Sequence, residues 1–333
     1  MAKKNLWNTF SVNYLIPAII ATGIAIALFG NIFLIASKKV DTFESFNSLS
    51  RGLDDYYDFK TAWKPRLFSN ALAAKFVDLS GWILKQTDFP SGKQMDFVVS
   101  FWTSSWYVLT CVLLICFLKN RSLFYIFGLY ACVSFGYLFL SGIYQAPRVY
   151  PWDLPALFFF TAFVLLFIKG KYWWLFFLIP ISIGFKETGM IFCLVFLFFD
   201  LPWRQRLALL AGVLVLSIGV KVFIDWYTNS LLFFTMKTQL ETGSEYYFRS
   251  NLRVFKNLIP YFINSGTLIV LFLLPNADRK IFYLKLISIP FIFGIFLFGI
   301  ADEFRVWFEL IPFSLYSLDF VINGDPIKVN LKY

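Results

Sequence analysis

The sequence predicts an all-α, polytopic membrane protein of about ten transmembrane helices, and three observations carry that expectation. Hydrophobic residues make up 59% of the 333-residue chain and charged residues only 15%, against roughly 45–50% and about 25% in ordinary globular domains. The apolar residues fall in separate runs of roughly 15–22, about the length a helix needs to cross the hydrocarbon core of a bilayer. Basic residues recur as pairs in alternate connections between those runs, as expected when cytoplasmic loops retain Lys and Arg.

Lys3/Lys4 precede the first apolar run, residues 14–36. That run is too long for a signal-peptide core and lacks a small-residue cleavage site, so it reads as a retained span. A long connection, 37–96, follows. Within it Pro65 precedes Leu67, Phe68, Ala71, Leu72, Phe76 and Leu79 at helical spacing. This pattern predicts an amphipathic interfacial helix over 66–79, apolar face down, with Arg66 and Lys75 able to reach lipid phosphates; a helix that merely covers the bundle fits it equally. Further spans are expected near 97–117, 122–142, 154–168, 172–185, 189–200, 207–224, 258–275, 281–300 and 307–322, with a second long connection at 225–257.

Six pairs then share one side: Lys3/Lys4, Lys119/Arg121, Lys169/Lys171, Arg204/Arg206, Arg279/Lys280 and Lys328/Lys332. Arg148, Lys186 and Arg305 stand singly on the other side, and Lys38/Lys39 opens a long loop, where the rule weakens. The expectation is one transmembrane domain over 1–333, both termini cytoplasmic and both long connections outside. A net charge of +10 is thereby explained by topology, without nucleic acid as a partner. Trp82, Trp152, Trp173, Trp174, Trp203, Trp226 and Trp307 fall near run ends and read as interfacial anchors. The two halves lack the matching broken helices of repeat-built transporters.

The chain has no histidine, which excludes Ser-His-Asp and Cys-His hydrolases, His-ligated zinc and bis-His haem. Cys111, Cys116, Cys132 and Cys193 all sit in apolar runs without a CxxC pair and read as small core residues. Neither a phosphate-binding GxxxxGK[ST] loop nor a GxGxxG turn is present, so no nucleotide site is expected.

Four clusters on the expected outer side could carry chemistry. Asp54-Asp55 in the first outer connection could bind a divalent cation such as Mg or Mn, or serve as a proton acceptor; they read equally as hydrated, helix-capping aspartates. Gln145-Ala146-Pro147-Arg148-Val149-Tyr150-Pro151-Trp152-Asp153-Leu154-Pro155, with its three prolines, predicts an extended, rigid connection that places Arg148 and Asp153 at the mouth of a span, and reads equally as a plain rigid loop. Lys186-Glu187-Thr188-Gly189 sets two charges between apolar runs, a costly placement that often marks a site. Adjacent helical residues do not face each other, so the alternative is a short solvated turn. Asp302-Glu303-Phe304-Arg305 continues to Glu309, one helical turn beyond Arg305; a structural salt bridge to Arg305 is the competing reading.

Taken in order, the acidic pair with its Trp-Lys-Pro-Arg-Leu helix, the Lys-Glu-Thr and the stretch Glu303-Phe-Arg305-Val-Trp-Phe-Glu309-Leu-Ile-Pro resemble the GT-C superfamily of integral-membrane glycosyltransferases, specifically its bacterial, polyprenyl-phosphate-sugar-dependent members. The resemblance implies a bacterial inner-membrane location, a lipid-linked sugar donor used on the extracytoplasmic face, and an acidic base matching Asp54 or Asp55. It also implies phosphate contacts from Lys186 and Arg305. The remaining residues expected around the substrate are Arg66, Arg148, Asp153, Glu187, Glu303 and Glu309. A large C-terminal soluble domain and a Trp-Trp-Asp-Tyr-Gly motif are missing, so protein N-glycosylation is not implied.

The leading expectation is therefore a membrane glycosyltransferase whose partners are a lipid-linked sugar and membrane lipids. Two other classes fit the same features: a structural or assembly subunit bound to partner membrane subunits, and a lipid or glycan transporter.

Overall fold

The computed structural model describes residues 40–51, 66–87, 90, 93–117, 150–228, 266–276, 278–298, 307 and 309–323. All regular structure among them is helical. In chain order the helices are α1 (Val40–Arg51), α2 (Leu67–Lys85), α3 (Gln94–Phe117), α4 (Asp153–Ile168), α5 (Tyr172–Ile183), α6 (Trp203–Tyr227), α7 (Gly266–Leu273), α8 (Arg279–Phe298) and α9 (Ile311–Asn323). A 3₁₀ segment, Glu187–Phe198, lies between α5 and α6. The expected spans near 14–36 and 122–142 lie outside the described residues.

Short turns make α4, α5, the 3₁₀ segment and α6 successive antiparallel neighbours. The α4–α5 turn closes at Gly170, whose φ of 65° suits a residue without a Cβ. There Gly170 N–H donates to Phe167 O (3.0 Å) and Lys171 N–H to Leu166 O (2.8 Å), ending the helix through a left-handed cap. At the other end of α5 the chain turns again at Gly184, and the apolar run 172–200 divides at the charged pair, as its sequence predicts.

The 3₁₀ segment is long for its type, since such runs seldom exceed three or four residues. A rise of ~2.0 Å per residue lets its 12 residues cover ~24 Å, where an α-helix would cover ~18 Å. Its threefold repeat aligns Gly189, Phe192 and Val195 in one buried row and Cys193 and Phe196 in another.

These alternations give the bundle two ends. At the first, basic side chains close the carbonyl ends of neighbouring helices. Lys280 Nζ donates to Ile168 O at the end of α4 (2.6 Å). Arg206 donates from Nε to Leu201 O (2.6 Å) and from its guanidinium to Leu197 O (3.1 Å). Lys285 donates to Leu274 O (2.5 Å) beyond α7. The second end gathers the starts of α2, α4, the 3₁₀ segment and α9 with the close of α5 and α6.

Two apolar cores follow this division. The larger runs through α4, α5, the 3₁₀ segment, α8 and α9, with Phe163, Leu175, Phe192, Phe196 and Phe313 almost fully buried. The smaller lies at the second end, where Phe46 and Leu49 of α1 and Ala73, Ala74 and Val77 of α2 meet Val98, Val99 and Trp102 of α3, together with Trp152 and Ile224. Phe68 and Trp106 border both.

The bundle's outside is also apolar. Trp173, Phe177 and Ile181 on α5, Val215, Ile218 and Val222 on α6, and Phe282, Ile289 and Phe293 on α8 are exposed at helical spacing. Among the described residues, α6 and the Gln94–Leu114 stretch of α3 are long and apolar enough to cross a membrane; α4, α5, the 3₁₀ segment and α9 are apolar but shorter.

Two expectations need correction. Trp152 and Trp307 are buried rather than interfacial, because both pack inside a core, whereas Trp82, Trp173, Trp174, Trp203 and Trp226 are exposed. Helix α2 forms from Leu67 and continues past residue 79 to Lys85, but the expected stripe does not lie on one face: Leu67 is buried and Phe68 and Phe76 pack against the cores. Small residues, Ser69, Asn70, Ala73, Ala74 and Val77, allow close approach to α1 and α3, while Leu72 and Leu79 face outward with Trp82 and Ile83.

Candidate functional site

The second end of the bundle is where the sequence clusters meet. Arg66 immediately precedes α2. The backbone N–H groups of Phe68 and Ser69 donate to Gly184 O (2.9 and 3.4 Å), so two otherwise unpaired donors of α2 satisfy the carbonyl end of α5. This contact requires glycine, since a Cβ at position 184 would collide with the Phe68 ring.

Arg66 is thereby brought over Trp152, its guanidinium carbon 4.2 Å from the ring centroid. Trp152 stacks on Tyr150 at 5.0 Å. The intervening Pro151 accepts a hydrogen bond from Trp102 Nε1 at 3.1 Å, which pins the turn to α3. Asp153, the first residue of α4, reaches back to accept from Tyr150 N–H (3.0 Å).

Lys186 has an extended backbone, φ −158° and ψ 132°, and this sends its side chain and that of Glu187 to different partners. Lys186 Nζ lies 2.5 Å from Glu309 Oε1 and 4.0 Å from Asp153 Oδ1, with both carboxylates 1% exposed. Thr188 Oγ1 donates to Glu309 Oε1 at 3.2 Å. One lysine therefore ties together the starts of α4, the 3₁₀ segment and α9. Glu187 turns instead toward Arg66, with Nε and Oε2 3.5 Å apart.

Burial alone would raise the Glu187 carboxyl above the usual range. Arg66, a hydrogen bond from Glu187's own backbone N–H, Lys221 and Lys186 outweigh it and hold the group below its ordinary 4.5. Lys221 belongs to α6 and pairs with the buried Asp225 at 2.8 Å.

Arg66, Asp153, Lys186, Glu187 and Glu309, expected from the sequence, thus share one end of the bundle. Asp54, Asp55, Arg148, Glu303 and Arg305 lie outside the described residues. Trp152, Thr188, Lys221 and Asp225 were not singled out as site residues. A lysine inside an otherwise apolar run, with an aspartate four residues on, is the signal that points to Lys221 and Asp225, because an ionisable group there is costly unless paired.

The chemistry on offer differs between the two cations. Lys186 is committed to two carboxylates. The Arg66 guanidinium sits over an indole, a cation–π contact that leaves its N–H donors to receive a planar or tetrahedral oxyanion. Among the described residues, no group of three or more ligand-type side chains is placed to hold a metal ion. Comparison with family models, curated proteins and solved structures returns no match.

Proposed function

We propose that the chain is a polytopic membrane glycosyltransferase that uses a lipid-linked sugar donor at its non-cytoplasmic face. The observation that supports this reading is the convergence of Arg66, Asp153, Lys186, Glu187 and Glu309 from four distant segments, at the end opposite the basic helix caps. The outward apolar stripes of α5, α6 and α8 suit lipid around a bundle of about ten spans, and both termini then lie in the cytoplasm. The outward face of α2 suits an interfacial position.

On this reading Arg66 receives the donor phosphate, and Lys186 holds Asp153 and Glu309 in place beneath it. The acceptor hydroxyl attacks the sugar's anomeric carbon, and the bond from that carbon to the phosphate oxygen breaks. The phosphate departs with the electron pair, and the hydroxyl proton passes to Asp54 or Asp55. Proton removal of this kind contributes ~10²–10⁴-fold in rate, and charge-assisted hydrogen bonds stabilise the departing phosphate.

The test is sugar transfer by the full chain in liposomes supplied with a panel of radiolabelled polyprenyl-phosphate sugars. Transfer that is lost in Asp54→Asn or Asp55→Asn, with the protein still folded, is the expected result. Absence of transfer, together with co-purification of a partner at fixed stoichiometry, would favour a non-catalytic subunit. The buried Lys186–Glu309 pair, which serves a structural role equally well, is the observation behind that second reading.

A further inference from the structure

We infer that Glu187 is an internal competitor for Arg66, occupying the guanidinium until a phosphate-bearing ligand displaces it. This rests on the donor-phosphate reading of Arg66 above, and it assigns that site its own regulation.

Three observations carry it. The Arg66–Glu187 contact is loose. At 3.5 Å it exceeds the ~2.7–2.9 Å of a charge-assisted hydrogen bond, and Arg66 Nε, although buried, has no hydrogen-bond partner among the described residues. A phosphate presented to the same N–H can supply oxygens at proper distance, and the Trp152 ring 4.2 Å away already holds the guanidinium in place. Glu187 is also the accessible carboxylate of the cluster: its side chain is 35% exposed against 1% for Asp153 and Glu309. Finally, a carboxylate that is already 35% exposed can turn to water when it leaves Arg66. Displacement therefore does not strand a buried charge, the outcome that makes breaking most buried pairs so unfavourable.

The shared chemistry is a phosphate group, borne by a prenyl lipid or free in solution. The full chain in phosphatidylcholine nanodiscs is titrated calorimetrically with farnesyl phosphate and, separately, with inorganic phosphate. Glu187→Gln is expected to tighten binding by up to about fivefold, the range for removing a partly exposed competing ion pair. Glu187→Ala should give the same gain with a smaller side chain. The gain should vanish in an Arg66→Gln background, a double-mutant cycle that isolates the pair. Asp78→Asn, an equal charge change on the exposed side of α2 beside Lys75, should do nothing.

A gain with both probes identifies the phosphate group alone as the competitor, whereas a gain with farnesyl phosphate only identifies a lipid headgroup. Wild-type binding that Glu187→Gln leaves unchanged or weakens overturns the inference and spares the donor-phosphate reading. A gain that persists without Arg66, or appears in Asp78→Asn, also overturns it, by showing a general charge effect. Failure of every variant to bind either probe overturns both.

Discussion

The Arg66 guanidinium lies over the Trp152 ring, its carbon 4.2 Å from the ring centroid, and so fastens the start of α2 to the turn that opens α4. The same indole is 1% exposed and belongs to the smaller core with Phe46, Ala73 and Val98. One residue thus packs a core and floors the candidate site. Trp152→Leu is expected to cost about 2–4 kcal/mol through lost packing. Thermal unfolding in detergent, followed with a thiol-reactive dye in a variant that keeps only the buried Cys193 among its cysteines, measures it.

Lys186 bridges Glu309 and Asp153 within 4.0 Å. Lys186→Met leaves both carboxylates without their shared cation and should cost about 3–5 kcal/mol. The triple variant Lys186→Met, Asp153→Asn, Glu309→Gln should recover part of that loss, because no unpaired charge is then buried. If the triple variant is as unstable as the single one, the bridge is not what holds these three starts together.

Gly184→Ala is expected to displace the Phe68 ring and lengthen the contact between α2 and α5, at about 1–3 kcal/mol for overpacking. Hydrogen exchange at the Phe68 and Ser69 amides reads the effect directly, since both donate to Gly184 O. Unchanged protection there would show that α2 tolerates the extra methyl.

Glu187 gives a pH signature whose sign is fixed. Its folded-state value lies below 4.5, so its contribution to stability is fully present above pH 4.5 and is lost as pH falls through the lower folded value. The melting-temperature difference between wild type and Glu187→Gln should be flat above pH 4.5 and shrink in more acidic buffer. A difference that grows on acidification would contradict the Arg66 pairing.

Sidedness is testable with membrane-impermeant maleimide. Arg279→Cys, at the capped basic end, and Lys75→Cys, on the exposed side of α2, should react from opposite faces of the membrane. Reaction of both from the same face would remove the proposed topology.

Much of this architecture is legible in the sequence because apolar runs of near-bilayer length have few alternatives to a helix. The run at 154–168 becomes Asp153–Ile168, 281–300 corresponds to Arg279–Phe298, and the division before Lys186 is marked by its charges. The 3₁₀ character of Glu187–Phe198 is not legible, since a run that is apolar on every side carries no period to separate 3.0 from 3.6 residues per turn. The membership of Arg66, Asp153, Lys186, Glu187 and Glu309 in one end could be anticipated from topology. Their pairing could not, because it depends on the extended backbone at Lys186, which turns two adjacent charges apart. Lys221 and Asp225 were hidden for a related reason: their pairing is local, but their bearing on Glu187 requires α6 to lie against the 3₁₀ segment.

The basic residues at the capped end serve two masters. Arg206 and Lys280 belong to the pairs that set the expected orientation during insertion, and the same side chains close the carbonyl ends at Leu197, Leu201 and Ile168. Deleting them to invert the protein in the membrane would also unfasten the helices they terminate, so misinsertion and misfolding would arrive together. An engineer wishing to flip this chain should leave those residues in place and add positive charge to the opposite loops. On the proposed topology, drift at these positions meets two filters, one at membrane insertion and one in the finished bundle.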